Sequence, residues 1–197
     1  MTPIKALAAG LATLWLAGCA TDAPPANRYT LPDDALAAPA LSADGEAEHR
    51  LVVARPSLAR FLAVDGLVLQ LDDITVNEAN RHRWAEPLGL QLERRLTARL
   101  AARLPDTRVL GETAGEPRED AATLRLTVDH FQGRFDGRAV VAGQWQLRDA
   151  EGNLQALSPF SVEVPLARDG YPALVRALGR GWNRAVDEIA GEIKRLR

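Results

Sequence analysis

The chain is 197 residues long, with 24 Lys and Arg against 26 Asp and Glu, a formal net charge of −2 and one cysteine. That length supports a single domain with a real core. The near-neutral balance excludes the basic surface on which nucleic-acid binding depends, and a lone cysteine excludes an intrachain disulfide or a thiolate metal cluster.

At the N-terminus, Lys5 precedes an apolar run from Ala6 to Ala17 that is broken only by Gly10 and Thr13. This is the n-region and h-region of an export signal, too short to span a bilayer as a helix. Leu16-Ala17-Gly18-Cys19 follows and resembles the lipobox of bacterial lipoproteins. The resemblance implies that residues 1–18 are a signal peptide, and that Cys19 becomes the new N-terminus and is acylated. The alternative is an ordinary secretory signal with a cysteine at the cut site. One acyl chain gives only marginal membrane binding, whereas two or three hold firmly. The mature chain is therefore expected on a membrane without spanning it. Ala20 follows the cysteine where enterobacteria-like lipoproteins place an inner-membrane retention Asp, so the expected site is the periplasmic face of the outer membrane.

Residues 19–49 are expected to be the acylated Cys19 and a tether rich in Ala, Pro, Asp and Gly, with Tyr29-Thr30-Leu31 as a short β-favouring stretch (29–31) inside it. Residues 50–197 then form the folded periplasmic domain. Leu51, Val52 and Val53 form an apolar run stopped by Pro56, which predicts a strand over 50–55. Leu67, Leu69 and Leu71 alternate with Val68 and Gln70, and Ile74-Thr75-Val76 continues the β character after Asp72-Asp73. Pro87 suits the first turn of a helix. Leu88, Leu92, Leu96, Leu100 and Leu104 then recur every four residues, with Arg94, Arg95, Arg99 and Arg103 off the stripe and read as its solvated side. Pro105 ends that helix.

Thr107 to Leu110 predicts another strand, followed by a polar loop through Asp120. Leu124, Leu126 and Val128 alternate within 122–131, as do Val141, Trp145 and Leu147 within 138–148, and the Asp136-Gly137 pair suits the turn between them. With 154–164 these strands read as an antiparallel meander. A final helix is expected from about Asp169 to Leu196, its apolar stripe being Val175, Leu178, Trp182, Val186, Ile189, Ile193 and Leu196. Strands, a helix, more strands and a helix predict an α+β single domain: a mixed, mostly antiparallel sheet with two amphipathic helices packed on one face.

Residues capable of chemistry are scattered. His49, His82 and His130 lie far apart, and none has a second ligand at metal-binding spacing. Ser42, Ser57, Ser158 and Ser161 lack the glycine-flanked elbow of a serine hydrolase. Asp72-Asp73 and Asp187-Glu188 are adjacent, so their side chains point apart on a regular element. No catalytic residue, metal site or cofactor site is expected, and Cys19 is the one residue with an assigned role.

Three stretches carry a resemblance to a known family. They are Trp84-Ala85-Glu86-Pro87-Leu88 before the leucine helix; Phe131 to Gly137 with Val140 to Trp145; and Asp169-Gly170-Tyr171 opening the last helix, with Trp182 and Ile189 to Leu196. Together with the lipobox and Tyr29-Thr30-Leu31, this ordered set resembles the auxiliary lipoproteins of ABC-linked MCE (mammalian cell entry) transport systems, of the paraquat-inducible kind. As fold determinants, Trp84 is expected to cap the core, Gly133 and Gly137 to permit the hairpin, and Trp182 to sit on the buried stripe. The resemblance implies a non-enzymatic role: an outer-membrane lipoprotein that docks a periplasm-spanning MCE protein carrying lipids or other hydrophobic molecules. Docking, or self-association into a homo-oligomer, calls for an exposed apolar or charged patch. Residues 32–49 carry no signature of the family. A structural or assembly lipoprotein of the envelope is the rival reading, and a periplasmic lipid hydrolase is a third.

Overall fold

In the computed structural model, which describes residues 25–32, 47–112 and 120–197, one long strand organises the sheet. The strands are β1 (Asn27–Tyr29), β2 (His49–Val53), β3 (Ser57–Leu58), β4 (Gly66–Gln70), β5 (Val76–Trp84), β6 (Thr107–Gly111), β7 (Ala122–Arg134), β8 (Arg138–Arg148) and β9 (Leu154–Pro165). The helices are α1 (Leu88–Arg103) and α2 (Tyr171–Arg195), and Arg60–Leu62 forms a single 3-10 turn. Residues 1–18, expected to be a signal peptide, Cys19 and Ser42 lie outside the described residues.

The trunk is β7. Along one edge it takes β2, β3 and β4 in succession, all parallel, at 122–124, 127–128 and 133–134. Along the other it pairs antiparallel with β8, and β8 with β9. Outward from β4 come β5, antiparallel, and β1, parallel to β5; β6 lies parallel to β2. Both helices cover one face, α1 against β2 and β6, α2 against β7, β8 and β9, and each against the other. The fold is the α+β layer that the sequence predicts.

The helices follow from their periodicity. Leu88, Leu92, Leu96, Leu100 and Leu104 are all buried, as are Leu174, Val175, Leu178, Trp182, Val186, Ile189 and Ile193 on α2. Leu196 differs: it falls just beyond the helix and is exposed. Pro87 stands one place earlier than expected, as the N-cap of α1 with φ −50° and ψ 130°.

A bulge sets the phase of the trunk. Val128 pairs with Gly143 and His130 with Ala142, so Asp129 is the extra residue. That insertion returns Phe131 to the face already occupied by Leu124, Leu126 and Val128, where strict alternation would have turned it outward. Phe131 thereby meets Trp182 edge-on at 6.3 Å and Trp84 at 6.2 Å, while Phe160 meets Trp182 edge-on at 6.4 Å. Trp182 at 0% exposure is the centre of the core.

Gly137 takes the positive φ (77°) that the hairpin requires, but Gly133 has a different role from the one expected. It lies within β7, and a Cβ there would come within 2.8 Å of Leu69 Cδ2 and 3.1 Å of Leu174 Cδ2. Its lack of a side chain lets β4 and α2 close over the trunk. The longest strand the sequence missed is β5. Only Ala79 and Trp84 are buried along it, so its residues show no two-residue pattern.

Candidate functional site

The N-terminal segment is the first region with specific chemistry. Within the stretch 19–49 read as a tether, residues 27–32 are built into the fold. β1 pairs with β5 over Asn27–Tyr29, and Leu31 is 3% exposed. Two residues of α1 hold the chain after β1: Gln91 Oε1 accepts from Leu31 N at 2.9 Å, and Arg95 Nη2 donates to Leu31 O at 2.8 Å. Tyr29 Oη lies 2.9 Å from His82 Nδ1, and the His82 ring stacks on Tyr171 at 3.7 Å. Burial raises the Tyr29 hydroxyl above its ordinary range, with the neighbouring Tyr171 adding to the rise. The phenol therefore stays neutral and available as a hydrogen-bonding group. Three elements distant in sequence are clamped here by two phenols and an imidazole, an arrangement that binds β1 to the domain.

Of the α1 arginines read as a solvated side, Arg94 and Arg103 are exposed, and all four also make hydrogen bonds or ion pairs. Arg99 donates to Asp187 of α2 through Nε at 2.7 Å and Nη2 at 2.6 Å, and Arg103 does so at 2.8 and 3.0 Å. Arg94 forms an ion pair with Glu86, and Arg55 reaches the buried Glu93 at 2.7 Å. Burial pushes the Asp187 carboxyl up, but hydrogen bonds and charge from Arg99 and Arg103 together hold it below its ordinary value. No spacing rule could have paired Asp187 with residues on another helix, because only the packing of α1 on α2 brings them together. Glu188 is exposed, as an adjacent pair on a helix requires.

The remaining reactive residues do not converge. His49 starts β2, His82 belongs to the aromatic clamp and His130 is exposed on β7; Ser57, Ser158 and Ser161 lie on β3 and β9. Among the described residues no group of three His, Cys, Asp or Glu side chains could hold a metal ion. An open groove of about 470 Å³ at one end of the sheet is lined by His49, Arg148, Asp149 and Gln155, among others. Its carboxylate at Asp149 is occupied by the β8–β9 turn, accepting from Asn153 N at 2.7 Å, Asn153 Nδ2 at 3.1 Å and Gln155 Nε2 at 2.7 Å.

The sequence pattern of one protein family, the ABC-type transport auxiliary lipoprotein component, matches residues 29–190. The chain belongs to that family. Its members are transport auxiliary lipoproteins, not enzymes as a class. The lipoprotein is 36% identical over 186 residues to the intermembrane transport lipoprotein PqiC of Escherichia coli, covering 94% of this chain and 96% of the relative. The same figures hold for PqiC of Shigella flexneri. A crystal structure of an uncharacterized protein, 33% identical, superposes with a TM-score of 0.73 over 86% of this chain and 99% of the other. The matched region begins at Tyr29, in β1, and ends at Ala190, inside α2. It takes in the aromatic clamp, the trunk, α1 and most of α2. No helix among the described residues is long and apolar enough to cross a membrane.

Proposed function

We propose that the protein is a lipoprotein acylated at Cys19 and anchored to the periplasmic face of the outer membrane. In this reading residues 1–18 are the removed signal, Cys19 is the anchor and the domain from residue 50 onward, with 27–32 pinned to it, is the working part. The domain acts as the accessory and docking component of an MCE-type system that moves lipids or other hydrophobic molecules between membranes. Its partner is the periplasm-spanning MCE protein of the same system, and its own association into a homo-oligomer presents the docking surface. It catalyses no reaction and needs no cofactor.

One observation carries the reading: a chain that keeps the lipobox also matches intermembrane transport lipoproteins over 94% of its length. The test is affinity purification of the intact protein from its own envelope, followed by mass spectrometry. An MCE protein in the eluate, lost when Cys19→Ala removes the anchor, supports the reading. Recovery of other envelope assembly factors without an MCE protein overturns it.

A further inference from the structure

Eight large apolar side chains are exposed among the described residues, and four of them gather at one end of the sheet: Leu71, Ile74, Val76 and Phe135. The register places them together. Leu69 and Gln70 of β4 run parallel beside Gly133 and Arg134 of β7, so one further residue sets Leu71 beside Phe135. Gln70 pairs with Val76 across the β4–β5 hairpin, and Leu71 N donates to Thr75 O at 2.8 Å. Ile74 is the outermost, 87% exposed. The turn that presents it is held by Asp72 Oδ1, which accepts from Ile74 N at 2.9 Å and Thr75 N at 2.6 Å. Scattered apolar residues on a surface need no explanation, but a cluster on two adjacent hairpin tips does.

The direction of the chain says what covers this end. β1 is parallel to β5, with Asn27 level with His82, so the chain enters β1 from the side of Val76. Val76 lies six residues before His82, about 20 Å along a strand. Cys19 lies eight residues before Asn27, and those residues can extend at most about 26–29 Å. A lipid-bearing Cys19 can therefore reach about 6–9 Å past the level of Val76, about the further two residues to Ile74. β1, β5, β4 and β7 are neighbours in that order, so both tips stand within a few strand spacings of the anchored chain. Beside the tips, Arg134 pairs with Asp136 and Glu163, and Arg138 with the same two carboxylates.

We propose that the β4–β5 and β7–β8 tips, through Leu71, Ile74, Val76 and Phe135, rest in the headgroup layer of the leaflet that holds the Cys19 anchor. The domain then stands on the membrane with its strands upright. The β8–β9 turn, the C-terminus and the groove beside His49 face away from the bilayer, toward a partner. This orientation rests on acylation of Cys19.

The test uses the full acylated protein in vesicles of phosphatidylethanolamine with a minor share of phosphatidylglycerol. Once Cys19 is a thioether, an introduced cysteine is the single free thiol. Nitroxide labels are placed at Ile74→Cys and Phe135→Cys, with Leu157→Cys and Leu196→Cys, exposed elsewhere, as references. Collision with oxygen and with a water-soluble nickel complex reads depth. The expected result is a severalfold loss of nickel accessibility at 74 and 135 relative to 157 and 196, present in vesicles and absent in dilute detergent. Equal nickel accessibility at all four positions overturns the orientation. So does shielding at 74 and 135 that persists without vesicles in a species of multiple mass, since a second copy then covers the tips. The intact mass reports acylation separately. An unmodified Cys19 removes the anchor and the orientation with it, while an acylated Cys19 with water-exposed tips removes the orientation alone.

Discussion

Asp187 joins the two helices, and its removal should loosen the helical layer in a way that pH can expose. The side chain of Arg99 is only 13% exposed and that of Asp187 32%. Breaking a fully buried pair costs about 3–5 kcal/mol, and an exposed pair is worth about 0.2–1 kcal/mol. Solvent screening at Asp187 places this contact between those limits, so Asp187→Asn should destabilise the protein by about 1–2 kcal/mol at neutral pH. Arg103 is more exposed and adds less. The two guanidinium groups hold the folded carboxyl below its ordinary 3.8, so it stabilises the fold above that value. The contribution is lost as pH falls through the folded value. Urea unfolding of the mature protein in mild detergent, followed by circular dichroism, should therefore show a constant gap between wild type and Asp187→Asn from about pH 7 to 5. Below 3.8 the gap should narrow. A double-mutant cycle should give a larger coupling for Arg99 with Asp187 than for Arg103 with Asp187. A gap that persists at the acid end, or equal couplings for the two arginines, would refute the reasoning.

Three further outcomes follow from packing and hydrogen bonding. Gly133→Ala should cost about 1–3 kcal/mol through overpacking, and Leu69→Ala in the same chain should recover part of it, read from urea midpoints. Trp182→Ala should destabilise by about 3–5 kcal/mol, since it empties the centre of the aromatic core; a loss below about 1 kcal/mol would show that Phe131 and Phe160 collapse freely into the space. Gln91→Leu leaves the Leu31 N–H without its acceptor. It should cost about 1–3 kcal/mol and speed amide exchange across 29–32 before any other segment.

Much of the fold is legible in the residues because burial writes a period into them. The leucines of α1, the stripe of α2 and the alternation in β7, β8 and β9 each face one apolar layer, so their spacing alone gives element, length and buried side. The stretch 16–19, which resembles a lipobox, is legible for another reason: such a motif is read as linear sequence, with no fold required. What the sequence could not supply depends on partners far along the chain. β5 is polar on both faces and exists because β4 and β1 bind its backbone. Asp129 looks like one more polar residue, yet as a bulge it decides that Phe131 faces Trp182. Gly133 reads as a turn glycine until Leu69 and Leu174 arrive on either side of it. Asp187 is one acid of an adjacent pair until α1 brings two arginines to it. The apolar end at Leu71, Ile74, Val76 and Phe135 is spread over two hairpins, and only the parallel pairing of β4 with β7 makes it one place. Local spacing thus determined most of the elements of this protein. Strand register and helix packing decided which residues meet, because contacts between distant segments leave no period in the chain.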